Sequence, residues 1–200
     1  MTTVTTPVEN YPLVLHLHPI INLTDEQFFD FCQINRDLRI ERTATGELLI
    51  MPPTGSETGG RNFRLNGQLY NWTEQNGTGV GFDSSTGFTL PNSAKVSPDA
   101  AWVKRERWNA LTPEQQQTFA PICPDFVVEL RSVSDNLTPL KTKMQEYIEN
   151  GALLGWLIDC KKRQVYIYRP RVAVECLDNP ATVSADPVLL GFVLDLSKIW

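Results

Sequence analysis

The chain has 200 residues and carries 18 Lys and Arg against 23 Asp and Glu, a formal net charge of −5 at pH 7. Its composition, 42% hydrophobic and 20% charged, excludes a disordered, collagenous or disulfide-scaffold chain. A protein that coats nucleic acid needs a basic face to displace counterions from phosphates, so nucleic acid remains only as a locally held substrate. The length predicts one domain over residues 1–200, because a single core can grow to about 250 residues.

Targeting segments are not evident in the sequence. No apolar run approaches the roughly 20 residues that cross a bilayer. The opening stretch MTTVTTPVEN lacks the basic and apolar regions of a signal peptide. We therefore expect a soluble, cytoplasmic protein with no membrane partner.

The histidines and cysteines limit the chemistry. His16 and His18 are the only histidines; on a strand they would share a face and could ligate a metal, but two surface imidazoles are the better interpretation. Such a pair nearly eliminates Ser-His-Asp and Cys-His catalysis, whose base is a histidine. The four cysteines lie far apart without a CxxC pair, a spacing that does not fit a structural zinc site.

The first half of the chain predicts two helices separated by a β-hairpin. The segment Thr24–Asn35 has an aromatic stripe at helical spacing, and Thr24 with Gln27 forms a capping box. The runs LRIER and ELLIM flank the turn TATG and predict the hairpin. Leucines at helical spacing then predict a helix from about residue 58 to residue 75.

The second half predicts strands around one clear helix. VGFDSSTGFTL and DAAWVKR are typical of strands, LTPEQQQ of a connector, and FVVELRS of a doubly buried central strand. The helix TPLKTKMQEYIENG has Thr138 as predicted N-cap, Pro139 at its first position and Gly151 past its end. GWLID and QVYIYRP predict a strand pair. This order indicates an α/β layer arrangement with a mixed sheet.

Two acidic residues stand at the ends of apolar strands. Asp99 precedes AAWV and Glu129 follows FVV, and burying an isolated carboxylate is costly. Taken singly, each is best explained as a capping or salt-bridged carboxylate. Taken together, they could converge and bind Mg²⁺, which takes one or two carboxylates, keeps several waters and bridges phosphates.

Longer phrases resemble a known family. SPDAAWV at Ser97–Val103 and PDFVVELRS at Pro124–Ser132 are similar to the two acidic motifs of the PD-(D/E)XK phosphodiesterase superfamily. With NRDLRIERTATGELLIMPPTG, FDSSTGFTLPNSAKVSPDAAWV and LKTKMQEYIENGALLGWLID, the chain more closely resembles the small restriction-endonuclease-like proteins of the Uma-two family. The resemblance spans roughly Asn35 to Tyr168.

The resemblance implies a fold and a division of roles. The expected fold is α/β (α+β): a restriction-endonuclease-like core over about residues 35–170, with a mixed central sheet flanked by helices and extra β-hairpins. We expect the hairpin near Leu38–Met51 at the edge of this core. Asp99 and Glu129 would bind the metal ion, Mg²⁺ with Mn²⁺ as a substitute.

The lysine of the motif is displaced. Arg131 occupies its usual position, and in this family the lysine is found on the following helix, four residues before a tyrosine, which corresponds to Lys143 before Tyr147. A helical wheel alone does not choose between Lys141 and Lys143. Arg131 and Tyr147 are accessory candidates, as is Glu57, which is equally well explained as a helix N-terminal charge.

The implied activity is metal-dependent hydrolysis of nucleic-acid phosphodiesters, with DNA as the substrate. The alternative is a binding or scaffold module that keeps the nuclease fold without useful catalysis. Arg131 and the acidic charge favour this alternative slightly, whereas the presence of Asp99, Glu129 and Lys143 favours the nuclease. Cutting both strands is simplest for a two-fold homodimer. The terminal run VLLGFVLDLSKIW could pack between subunits or complete the monomer core.

Overall fold

The computed structural model describes residues 12–132 and 135–200. Five α-helices lie within these ranges: α1 (Asp25–Ile34), α2 (Ser56–Asn76), α3 (Arg105–Asn109), α4 (Pro113–Gln117) and α5 (Leu137–Glu149). No helix in this part of the chain is long and apolar enough to cross a membrane. The capping box predicted for α1 is confirmed, because Thr24 accepts from the Gln27 N–H while the Gln27 side chain accepts from the Thr24 N–H.

The strands of the described ranges form three sheets. The strands, in chain order, are β1 (Leu13–Leu15), β2 (Arg39–Arg42), β3 (Leu48–Met51), β4 (Gly79–Asp83), β5 (Phe88–Thr89), β6 (Lys95–Val96), β7 (Ala100–Lys104), β8 (Phe126–Arg131), β9 (Leu154–Asp159), β10 (Gln164–Tyr168), β11 (Glu175–Asp178), β12 (Thr182–Ser184) and β13 (Val193–Asp195). A short 3₁₀ helix, Leu196–Lys198, follows β13.

The largest sheet is mixed, as predicted, with strand order β11-β10-β9-β8-β7-β4. Strands β8 and β9 are parallel and joined through α5, because parallel neighbours need a crossover connection. The other pairs are antiparallel, including the predicted β9–β10 pair. Helices α2 and α5 pack against this sheet.

Alternation along β8 divides the core into two layers. Phe126, Val128 and Leu130 belong to the cluster on one face, with Leu65 and Leu69 of α2. Val127 belongs to the cluster on the other face, with Met144 and Tyr147 of α5. Because successive strand side chains point to opposite faces, Glu129 shares the α5 side.

The predicted hairpin is confirmed, with Arg39 opposite Met51, but its predicted location is wrong. It belongs to a second sheet of order β1-β3-β2-β6-β5 and not to the edge of the mixed sheet. The edge of β2 that faces away from β3 pairs with β6, where Arg42 lies opposite Lys95. Local alternation predicts a hairpin but does not specify this distant partner.

Two local predictions need correction. Helix α5 begins at Leu137, because Asn136 is the N-cap and its side chain accepts from the Thr138 N–H at 3.2 Å. Pro139 is tolerated because it still lies in the first turn, where backbone N–H groups have no intrahelical acceptor. The predicted connector LTPEQQQ contains the short helix α4, whose N-cap Thr112 forms a second capping box.

The terminal run completes the monomer core. Its buried side chains join the same cluster as Trp102 and Trp156 of the mixed sheet. The core thus extends past residue 170. The members of the run in this cluster are Leu189, Phe192, Leu194, Leu196 and Ile199.

Candidate active site

Glu129 is the centre of a buried polar cluster on the α5 side of the mixed sheet. Its side chain is only 4% exposed. Oε1 accepts from the Tyr147 hydroxyl at 3.0 Å and lies 2.9 Å from Nζ of Lys143. Within the described residues, Oε2 forms no hydrogen bond or ion pair.

Helix α5 brings Lys143 and Tyr147 to Glu129 from successive turns, because residues four apart share a helix face. A Cβ at Gly155 of β9 would meet the terminal methyl of Met144, so the end of the Met144 side chain packs directly over this glycine. Lys143, the lysine that the resemblance indicates, is the one beside Glu129. Nζ of Lys141 lies elsewhere, 4.1 Å from the centroid of the Tyr166 ring.

Asp99 is held against the next strand by three elements. It directly precedes β7, and its Oδ2 accepts from the Leu130 N–H in β8 at 2.8 Å. Oδ1 accepts from Nδ2 of Asn62 in α2 at 3.1 Å and lies 3.5 Å from Nη1 of Arg39 in β2. Since Leu130 follows Glu129 directly, the two acidic motifs meet here.

Sequence reasoning missed two site residues, Arg39 and Glu41, which come from β2 in the second sheet. Oε1 of Glu41 lies 2.9 Å from Nζ of Lys143 and accepts from the Ser97 N–H at 2.9 Å. Arg39 donates to the Ser97 carbonyl. The sequence does show Arg39 and Glu41 two positions apart, with the apolar Ile40 between them. On a strand this spacing places both charged residues on one face.

The charges of the cluster shift several pKa values. Burial raises the pKa of Glu129 to about 7; nearby Asp99 and Glu41 add to this effect, and Lys143 opposes it. Burial acts to lower the pKa of Lys143, but Glu129 and Glu41 outweigh it and raise that pKa. Burial and the same two carboxylates raise the pKa of Tyr147 well above its ordinary value. The ammonium and the phenol therefore keep their protons at neutral pH.

The donor set of the cluster fits a magnesium ion. Among residues 12–132 and 135–200, no three His, Cys, Asp or Glu side chains are arranged to hold a metal ion. Mg²⁺ does not need such a set, since it binds through one or two carboxylates and completes its shell with water and phosphate oxygens. Asp99 and Glu129 supply two carboxylates.

Two predicted accessory residues do not join this cluster. Nη1 of Arg131 pairs with Oδ2 of the buried Asp159 at 2.7 Å. Glu57 has an exposed side chain that pairs with Arg61 one turn later at 2.8 Å. Within the described ranges, neither one forms a hydrogen bond or ion pair with Asp99, Glu129 or Lys143. The helix N-terminal interpretation of Glu57 accounts for its position.

The mixed sheet, with Asp99 directly before β7, Glu129 in the adjacent strand β8 and Lys143 on the crossover helix α5, defines a nuclease-like fold. The chain belongs to the Uma2 family, described as "Putative restriction endonuclease", whose model matches residues 25–197. Its fold is similar to the crystal structure of a "putative nuclease belonging to DUF820" from Anabaena variabilis ATCC 29413, with a TM-score of 0.69 and 17% identity over 89% of this chain and 97% of that chain. No curated protein matches the sequence.

Proposed function

We propose that this protein is a Mg²⁺-dependent endonuclease that hydrolyses phosphodiester bonds of DNA, with Mn²⁺ able to replace Mg²⁺. One observation carries the proposal: Nζ of Lys143 lies 2.9 Å from Glu129, while the Asp99 carboxylate is bound to the adjacent Leu130 N–H. Two acids and one lysine from separate elements thus share one buried cluster.

Each residue has a distinct task in this proposal. Asp99 and Glu129 would hold the cation. When bound, such an ion would lower the pKa of a water molecule and neutralise negative charge on the phosphate. The Lys143 ammonium orients the attacking water and stabilises charge that develops on the phosphate. Tyr147 fixes Oε1 of Glu129, and Asn62 fixes Asp99. None of these roles requires a histidine.

A cleavage assay tests the proposal. Supercoiled plasmid, single-stranded DNA and RNA are incubated with Mg²⁺, Mn²⁺ or EDTA. We expect metal-dependent cleavage of DNA by the wild type and its loss in Asp99→Ala and Lys143→Met. Lys141→Met is the matched control, because Lys141 lies on the same helix but contacts Tyr166, and it should retain activity.

Three outcomes contradict the proposal. Cleavage in EDTA would exclude a metal-dependent site, and preference for RNA would change the substrate. Divalent-cation binding without cleavage would support the alternative, a nuclease-fold binding or scaffold module.

The homodimer is part of the proposal for double-strand cleavage, because a two-fold axis places one site on each strand. The buried side chains of the terminal run pack in the monomer core, so a dimer interface would use another surface. Light scattering that finds a monomer at micromolar concentration would leave a nicking enzyme.

A further inference from the structure

Glu41 connects strand β2 of the second sheet to helix α5, which packs on the mixed sheet. It is 3% exposed, and its Oε1 lies 2.9 Å from Nζ of Lys143. That ammonium lies at the same distance, 2.9 Å, from Oε1 of Glu129. Lys143 is therefore shared between two buried carboxylates from different sheets.

The surroundings of Glu41 hold its carboxylate beside Lys143. Oε1 of Glu41 also accepts from the Ser97 N–H and lies 3.9 Å from Nη2 of Arg39. The carboxylate is thus anchored within the protein.

The sharing of Lys143 matters when a cation binds. A divalent ion at Glu129 repels the ammonium and attracts the carboxylate that Lys143 contacts. A buried ammonium without a partner is costly, so cation binding would be opposed if Glu129 were the only partner of Lys143. Glu41 provides the second partner.

We propose that Glu41 is a positioning residue: it holds the Lys143 ammonium when Glu129 binds a divalent cation, so that the ammonium and the cation occupy the site together. The inference rests on the proposed function, because it assigns Glu129 to a cation. It explains why a strand of a different sheet contributes a buried acid to this cluster.

Calorimetric titration with Mn²⁺, without nucleic acid, tests this coupling in a double-mutant cycle. We expect Glu41→Gln to weaken Mn²⁺ binding about tenfold in the wild-type background, and by much less in the Lys143→Met background. Gln retains an oxygen for the Ser97 N–H, so the change removes mainly charge. Glu47→Gln is the matched control, since Glu47 lies in the same hairpin and pairs with His16.

Cleavage kinetics give a second readout. At saturating Mg²⁺ we expect Glu41→Gln to lower kcat at least about tenfold with KM nearly unchanged, because a displaced ammonium affects the reacting water and not substrate binding. Glu41→Asp keeps the charge and should recover part of kcat. Glu47→Gln should match the wild type in both parameters.

The outcomes separate this inference from the proposed function. If the wild type neither binds Mn²⁺ nor cleaves, the proposed function fails. If it does both, but Glu41→Gln weakens Mn²⁺ binding equally in both backgrounds or leaves kcat unchanged, only the inference fails. If circular dichroism shows that Glu41→Gln is unfolded, Glu41→Asp provides the test. Asp keeps the charge, but its shorter side chain draws the carboxylate away from Lys143. A kcat and a Mn²⁺ affinity equal to those of the wild type would then overturn the positioning role of Glu41.

Discussion

The Asp99 carboxylate accepts a hydrogen bond from the backbone N–H of Leu130 at 2.8 Å. This bond joins the start of β7 to the residue after Glu129 in β8, and both groups are buried. The Asp99 carboxylate is therefore tied to the backbone of β8 at the residue that follows Glu129.

Replacing Asp99 should separate cation binding from stability. Asp99→Ala leaves the buried Leu130 N–H without an acceptor, which costs about 1–3 kcal/mol. Asp99→Asn keeps an oxygen for that N–H and should destabilise the protein less. Both variants should lose Mn²⁺ binding. Chemical denaturation and calorimetry measure the two effects; equal stabilities would contradict the role of this hydrogen bond.

Stability should depend on pH through Glu129. Its pKa is raised from 4.5 to about 7 in the folded protein, so the folded state holds the proton more tightly than the unfolded state. The stabilising contribution is full below pH 4.5 and is lost as the pH rises through about 7. The raised pKa of Lys143 has no effect in this window, because that group is protonated in both states.

The comparison that isolates this effect uses Glu129→Gln without divalent cations. Urea unfolding between pH 4.5 and 7.5 should show a fall in wild-type stability, relative to the variant, on the order of 1–3 kcal/mol. A constant difference across this range would contradict the raised pKa.

Removal of residues 188–200 should unfold the protein and not yield a folded monomer. The deletion removes five buried apolar side chains, each contributing about 1.5–3 kcal/mol, against a total stability of about 5–15 kcal/mol. Circular dichroism would show loss of the cooperative transition. Leu190→Ser is the control, since Leu190 is 74% exposed and its change should be neutral.

The four free cysteines should differ in reactivity. Cys176 is exposed, whereas Cys123 is buried and the other two are half-buried. Burial raises the thiol pKa to about 12 for Cys123 and about 11 for Cys32 and Cys160. Since the thiolate is the reactive form, iodoacetamide at pH 8 should label Cys176 first. Mass spectrometry identifies the site, and early labelling of Cys123 would contradict the buried packing.

The sequence by itself was sufficient for the local features of this protein. The capping box of Thr24 and Gln27, the hairpin of β2 and β3, and the apolar run of β8 all depend on neighbours a few residues apart. Hydrogen bonds within a turn and the two-residue period of a strand act at that range. The same patterns identified Asp99 and Glu129 as acids at unfavourable positions.

Only the tertiary structure decided which other residues join them. Glu41 and Lys143 are separated by 102 positions, and their contact exists because α5 packs on the mixed sheet while β2 enters a different one. The proximity of Lys143 to Glu129, the pairing of Arg131 with Asp159 and the burial of the terminal run have the same origin. These outcomes depend on how whole layers pack, since a side chain's partners across a core are set by that packing and not by its neighbours in the chain.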